Sequence, residues 1–180
     1  MTSQDLSSCL CGKVPLFAGL SADQCRQLLK IADECEFHAG EIIVHQGREL
    51  QLLWVLLEGE VEVIKTFDSK GVDGNSGLTL ATLTQYANFG EMSFFHKAPH
   101  SASVRAKTAV RLLRIERERF DVELKGQSQT AYLIAANTVS SLAERMRRMD
   151  SWVADLLHKQ PRKVDELNQL RESLFDKFAV

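Results

Sequence analysis

No stretch of this chain runs for the roughly 18 apolar residues that a membrane-spanning helix needs, so no membrane span is expected. Neither sign of charge is in excess. Lysine and arginine number 22 against 24 aspartates and glutamates, a net charge of −2. That argues against the concentrated basic face of a nucleic-acid-binding domain. The densest basic run, Arg145, Arg147 and Arg148, reads as a solvated helix face. The five histidines (His38, His45, His96, His100 and His158) never form a His-x-His cluster beside a carboxylate. A metal-dependent enzyme on a roll-type fold is therefore not expected, and no catalytic residue, metal or cofactor is assigned. Cysteine is confined to Cys9, Cys11, Cys25 and Cys35. Cys9-x-Cys11 lacks the downstream partners of a zinc site. Free thiols in a reducing cytoplasm are the expectation, with Cys25 packing as a small hydrophobe. Leu6-Ser7-Ser8-Cys9 imitates a lipoprotein cleavage box, but no basic and then apolar region precedes it.

At 180 residues the chain suits one domain with appended helices. Residues 1–14 are polar, without period, and are read as a flexible N-terminus. Ser21 is a good N-cap for a helix over about 22–34, with Cys25, Leu28, Leu29 and Ala32 on its apolar face. From Phe37 the pattern turns to short β-prone runs between turn residues: Ile42–His45, Leu52–Leu57, Val61–Ile64, Leu78–Leu83, Ser103–Lys107 and Val110–Ile115. The segment from Asp68 to Gly77 is a loop by composition. Helical spacing returns near Arg119, breaks at Gly126, and runs from about Gln129 to Lys159, before Pro161. Val164, Leu167, Leu170, Leu174 and Phe178 form one stripe of a final helix. The fold class is α+β: a β-roll or jelly roll (double-stranded β-helix) over 15–127 with flanking N-terminal and C-terminal helices. A long dimerisation helix over 128–160 and a C-terminal helix over 161–180 follow it.

The long helix carries Tyr132, Ala135, Val139, Leu142, Met146, Met149, Val153 and Leu156 at alternating steps of three and four. This is a heptad seam with valine at a and leucine at d, which favours a parallel homodimer. The alternative is that the stripe packs on the chain's own roll. Leu133, Ile134 and Ala136 offer a second apolar face for that purpose.

The segment Asn88-Phe89-Gly90-Glu91-Met92-Ser93, followed nine residues after Glu91 by His100-Ser101-Ala102-Ser103-Val104, resembles the phosphate-binding cassette of cyclic-nucleotide-binding domains. Gly47 and Gly59 fall at that family's turn positions. The span from Leu16 to Leu157 is similar to the sensor half of catabolite-activator-type regulators. The resemblance implies a pocket for cyclic AMP or cyclic GMP. In it Gly90 would admit the ribose, and Glu91 would accept from its 2′-hydroxyl. Met92 and Ser93 would open a short helix suited to an anion. Ser101 and Ala102 would cradle the phosphate. His100 stands where the family has an arginine. A histidine lacks the permanent charged fork. Its loss is worth about 2–5 kcal/mol, or roughly 30- to several-thousand-fold in affinity. An anion beside His100 would raise its pKa, so binding through it is expected to be favoured at low pH. Met149 stands where relatives contact the base with hydroxyl residues from the long helix.

Two functions remain open on these residues. One is a non-enzymatic sensor module that binds a small anionic ligand and signals through its dimer helices. The other is a ligand-independent dimeric interaction module with a decayed pocket, serving an unidentified protein partner. The residues after Pro161 suffice for one helix, so no direct DNA binding is expected.

Overall fold

The computed structural model of the protein describes residues 10–67 and 77–159, the last four as backbone only. The expected loop from Asp68 to Gly77, except for Gly77 itself, which opens a strand, and the expected helix after Pro161 lie outside the described residues. The chain divides into two compact units, Met1–Thr138 and Val139–Val180.

The first unit begins more firmly than the polar sequence suggested. Leu10, Val14, Leu16 and Phe17 are buried, and Cys11 is joined to Cys25 by a disulfide. Residues 10–14 are thus packed rather than loose. Of the described cysteines only Cys35 is a free thiol. The expectation of free thiols fails because Cys11 and Cys25 meet across a turn whose geometry their spacing does not reveal. Helix α1 (Ala22–Lys30) starts on the expected Ser21 cap. The Ser21 side chain accepts from the Gln24 N–H, and the Gln24 side chain accepts from the Ser21 N–H, a reciprocal capping box.

The helix ends four residues earlier than expected, because Ala32–Phe37 forms strand β1. Its acids hid it from a reading based on apolar residues. They are matched by a basic partner strand: Asp33 sits opposite Arg114 and is ion-paired to it at 3.0 Å. Cross-strand pairs of this kind are the unit of sheet stabilisation.

The other strands are β2 (Ile42–Val44), β3 (Leu52–Glu58), β4 (Val61–Thr66), β5 (Gly77–Leu83), β6 (Asn88–Phe89), β7 (Ser103–Ala106) and β8 (Val110–Glu116). They form two antiparallel sheets, β1-β8-β3-β6 and β2-β7-β4-β5. The first sheet is the middle layer. Alternate residues of β3 serve different cores, which is why Leu53–Leu57 are all buried. Leu53, Val55 and Leu57 join Leu113, Ile115, Phe120 and Ile134 on the helical side. Trp54 and Leu56 join Val61, Val104 and Leu112 between the sheets. Helix α2 (Glu91–Phe95) interrupts the roll, and α3 (Arg117–Lys125) follows it.

Helix α4 (Gln129–Lys159) has the expected bounds. Within the first unit it buries Ala131, Ile134 and Thr138, spaced three and four apart on one helical face. Leu133 packs partly against the same core. Ala136, expected on that face, is exposed, because two steps from Ile134 carry a side chain well around the helix. Of the seam residues, Tyr132, Val139, Met146, Met149 and Val153 are exposed, while Ala135 and Leu142 are partly buried. Leu156 lies among the residues described only as backbone. None of the described helices is long and apolar enough to cross a membrane.

Candidate functional site

The first half of the cassette is built on β3. Phe89 and Asn88 pair with Trp54 and Val55, and Trp54 stacks on the Phe89 ring. Gly90 then turns with φ +84°. A Cβ at this position would lie 2.5 Å from the Leu52 carbonyl oxygen and 3.3 Å from Trp54 Cδ1. The space that Gly90 leaves open is therefore filled by the chain's own strand, which a side chain could not tolerate. Glu91 follows as the first residue of α2 and is only 2% exposed, with Ser93 buried and Met92 exposed.

The end of α2 is anchored. Phe94 is fully buried and meets Phe95 and Phe120 edge to face. Its carbonyl accepts from Gln51 Nε2 at 3.1 Å and Arg117 Nη1 at 2.8 Å. Arg117 lies over both rings and pairs with Asp121 at 2.7 Å.

The second half is held differently. His96, Lys97 and Pro99 are exposed. The His100 backbone is bracketed by the turn after β2: its N–H donates to Arg48 O, and its carbonyl accepts from Gly47 N–H, both at 2.9 Å. The Gln46 N–H donates to Ser103 Oγ at 2.9 Å. The Gln46 side chain reaches β4, donating to Thr66 O at 3.0 Å and accepting from Thr66 N–H at 2.9 Å. Lys65 Nζ donates to the Ser101 carbonyl at 2.5 Å. Ser101 is exposed and Ala102 buried.

The His100 ring is buried, 7% exposed. Burial pushes its pKa below the ordinary histidine value, against the upward pull of a hydrogen bond to the Leu50 backbone. The ring is consequently neutral near pH 7. Nε2 has no hydrogen-bond partner, so the bond to the Leu50 carbonyl runs from Nδ1–H. In a neutral imidazole that leaves Nε2 as a lone-pair acceptor.

Gly90, Glu91, Met92, Ser93, His100, Ser101 and Ala102 thus belong to one cassette in the first unit, whereas Met149 belongs to the second and is exposed. Gln46, Arg48 and Lys65 went unnoticed in the sequence. Only the Gln46-Gly47 turn hinted at the first two, and nothing in the spacing of Lys65 ties it to residue 101. Among the described residues no three His, Cys, Asp or Glu side chains gather to hold a metal.

The family model for the cyclic nucleotide-binding domain matches residues 34–127. The regulatory subunit of a cAMP-dependent protein kinase from Schizosaccharomyces pombe is 28% identical over 109 residues, 61% of this chain and 24% of that protein. This chain thus spans about a quarter of that relative's length. The crystal structure of Thermus thermophilus Catabolite Activator Protein is 30% identical, with a TM-score of 0.68 over 79% of this chain and 62% of that one. A triple mutant of the regulatory subunit of a cAMP-independent protein kinase A from Trypanosoma brucei, bound to cAMP in its A site, is 25% identical. Its TM-score is 0.57 over 76% of this chain and 52% of that one.

Proposed function

The chain belongs to the cyclic nucleotide-binding domain family, and from that premise we propose that it is a regulatory sensor. It takes a small anionic ligand of the cyclic-nucleotide class at its cassette and transmits occupancy through a homodimer of its long helix. The observation that carries this reading is Glu91, a carboxylate buried at the start of α2. It lies beside a glycine that adopts the left-handed conformation its tight turn requires. A carboxylate at this place at the head of the cassette is suited to accept from a ribose hydroxyl. The relatives support the ligand class, since the S. pombe protein is a cAMP-dependent kinase subunit. The exposed Val139, Met146, Met149 and Val153 support the seam, because such a stripe is stabilised by burial against a second copy.

A second reading, a ligand-independent interaction module, is favoured by one observation. A neutral, buried His100 occupies the place of a charged clamp. The Trypanosoma brucei protein gives the comparison point: a subunit of a cAMP-independent kinase whose cAMP-bound form carries three substitutions, one of them installing an arginine.

Calorimetric titration with cyclic AMP and cyclic GMP decides between them. Weak binding is expected for the wild type. His100→Arg is expected to strengthen it by at least about 30-fold, the affinity of a charge-assisted clamp. Absence of binding in both proteins would establish the interaction module instead. For the seam, Leu142→Glu is expected to sediment as a monomer where the wild type sediments as a dimer. Identical sedimentation of the two would remove the seam from the account.

A further inference from the structure

The strands of the roll carry four cations: Lys65, Arg105, Arg111 and Arg114. Three are neutralised by carboxylates, Arg105 by Glu62 at 2.8 Å, Arg111 by Glu58 at 2.8 Å and Arg114 by Asp33 at 3.0 Å. Lys65 has no carboxylate partner among the described residues. Its ammonium is instead drawn to the cassette, where it donates to the Ser101 carbonyl at 2.5 Å. Strand register puts it there. Ile64 of β4 pairs with Ser103 of β7, so the next residue along the antiparallel ladder faces the end of the cassette. One of three N–H donors is spent on Ser101, which leaves two and a full charge. Close by, His100 is buried with Nε2 unpartnered.

We propose that Lys65, a residue outside the cassette, supplies the positive charge that holds the phosphate of a cyclic nucleotide at Ser101 and Ala102, in place of an arginine at position 100. The inference rests on the sensor reading above and names the residue that makes it electrostatically workable. The charge that the cassette lacks is delivered across the sheet from β4. An ammonium is a point charge rather than a planar fork, so it orients the phosphate less strictly. It is also partly exposed, so the attraction is screened by salt.

The test is calorimetric titration of the full chain with cyclic AMP at low and high salt. Lys65→Gln, Lys65→Arg and, as a control, the exposed Lys125→Gln on α3 are compared with the wild type, each also on a His100→Arg background. Lys65→Gln keeps a donor for the Ser101 carbonyl and loses only the charge, and its thermal midpoint checks the fold. The expected result is about a tenfold or greater loss of affinity and a flatter salt dependence for Lys65→Gln. Lys65→Arg should retain binding, and Lys125→Gln should stay within about twofold of its parent. Binding by Lys65→Gln equal to its parent's would overturn the role of Lys65 while leaving the sensor reading in place. Should only the His100→Arg proteins bind, Lys65 does not stand in for the arginine and its proposed role is overturned, with the sensor fold's pocket still in place. No binding of cyclic AMP on either background overturns the role of Lys65, and the absence of cyclic GMP binding as well overturns the sensor reading.

Discussion

From Asn88 to Phe95 the cassette is held by burial, whereas from His96 to Ala102 it is held by hydrogen bonds to a turn and a strand distant in sequence. In the first half Phe89, Glu91, Ser93 and Phe94 are all buried, and Gly90 turns where an added Cβ would collide with the Leu52 carbonyl. In the second half the brackets are Gly47, Arg48, Gln46 and Lys65. The two constructions differ in strength. An aromatic side chain in a core contributes several kcal/mol, while a hydrogen bond exchanged with water contributes about 1 kcal/mol net. The ribose side of the proposed pocket is therefore rigid, and the phosphate side is the part that a ligand can reposition.

The largest effect that could break this contrast is Phe94→Ala. It removes the ring between Phe95 and Phe120 and should destabilise the fold by about 3–5 kcal/mol in urea denaturation. A loss under about 1 kcal/mol would mean that α2 is not anchored through its core residue. Gln46→Ala removes three side-chain bonds to Thr66 and, since these exposed bonds exchange with water, should cost about 1 kcal/mol. Hydrogen exchange should show loosening at residues 96–103 and little change at 88–95. Equal loosening of both halves would erase the distinction.

The smallest effect concerns pH. The folded pKa of His100 is held below the ordinary value near 6.5. Below that pH the unfolded chain takes up a proton that the folded chain resists. The contribution is fully present above about pH 6.5 and is lost as pH falls from there through the folded pKa. Stability of the wild type relative to His100→Gln should thus be flat between pH 7 and 8 and decline below about 6.5. A difference that rises on acidification would mean the ring is charged in the fold.

Much of the architecture was legible because local periodicity determines it. Short β-prone runs between turn residues marked most strands from β2 to β8, and the three-and-four spacing of apolar residues carried α4 from Gln129 to Lys159. Strand β1 escaped because its acids are stable there only opposite the arginines of β8. β6 escaped because two residues carry no period. In the cassette Gly90, Glu91 and His100 could be named from the resemblance to the family's cassette, since those positions lie within one short segment. Gln46 and Lys65 could not, because their roles depend on the β2–β7 and β4–β7 pairings.

By itself the sequence determined most strands of the roll, the long helix with its apolar stripe, and the glycine and glutamate at the head of the cassette. These follow from the local geometry of strands, helices and turns. Tertiary structure alone decided that Cys11 meets Cys25, that the His100 ring is neutral and tied to Leu50, and that Lys65 reaches Ser101. Each of these depends on the distance and burial of groups far apart in the chain, and both quantities exist only once the chain has folded.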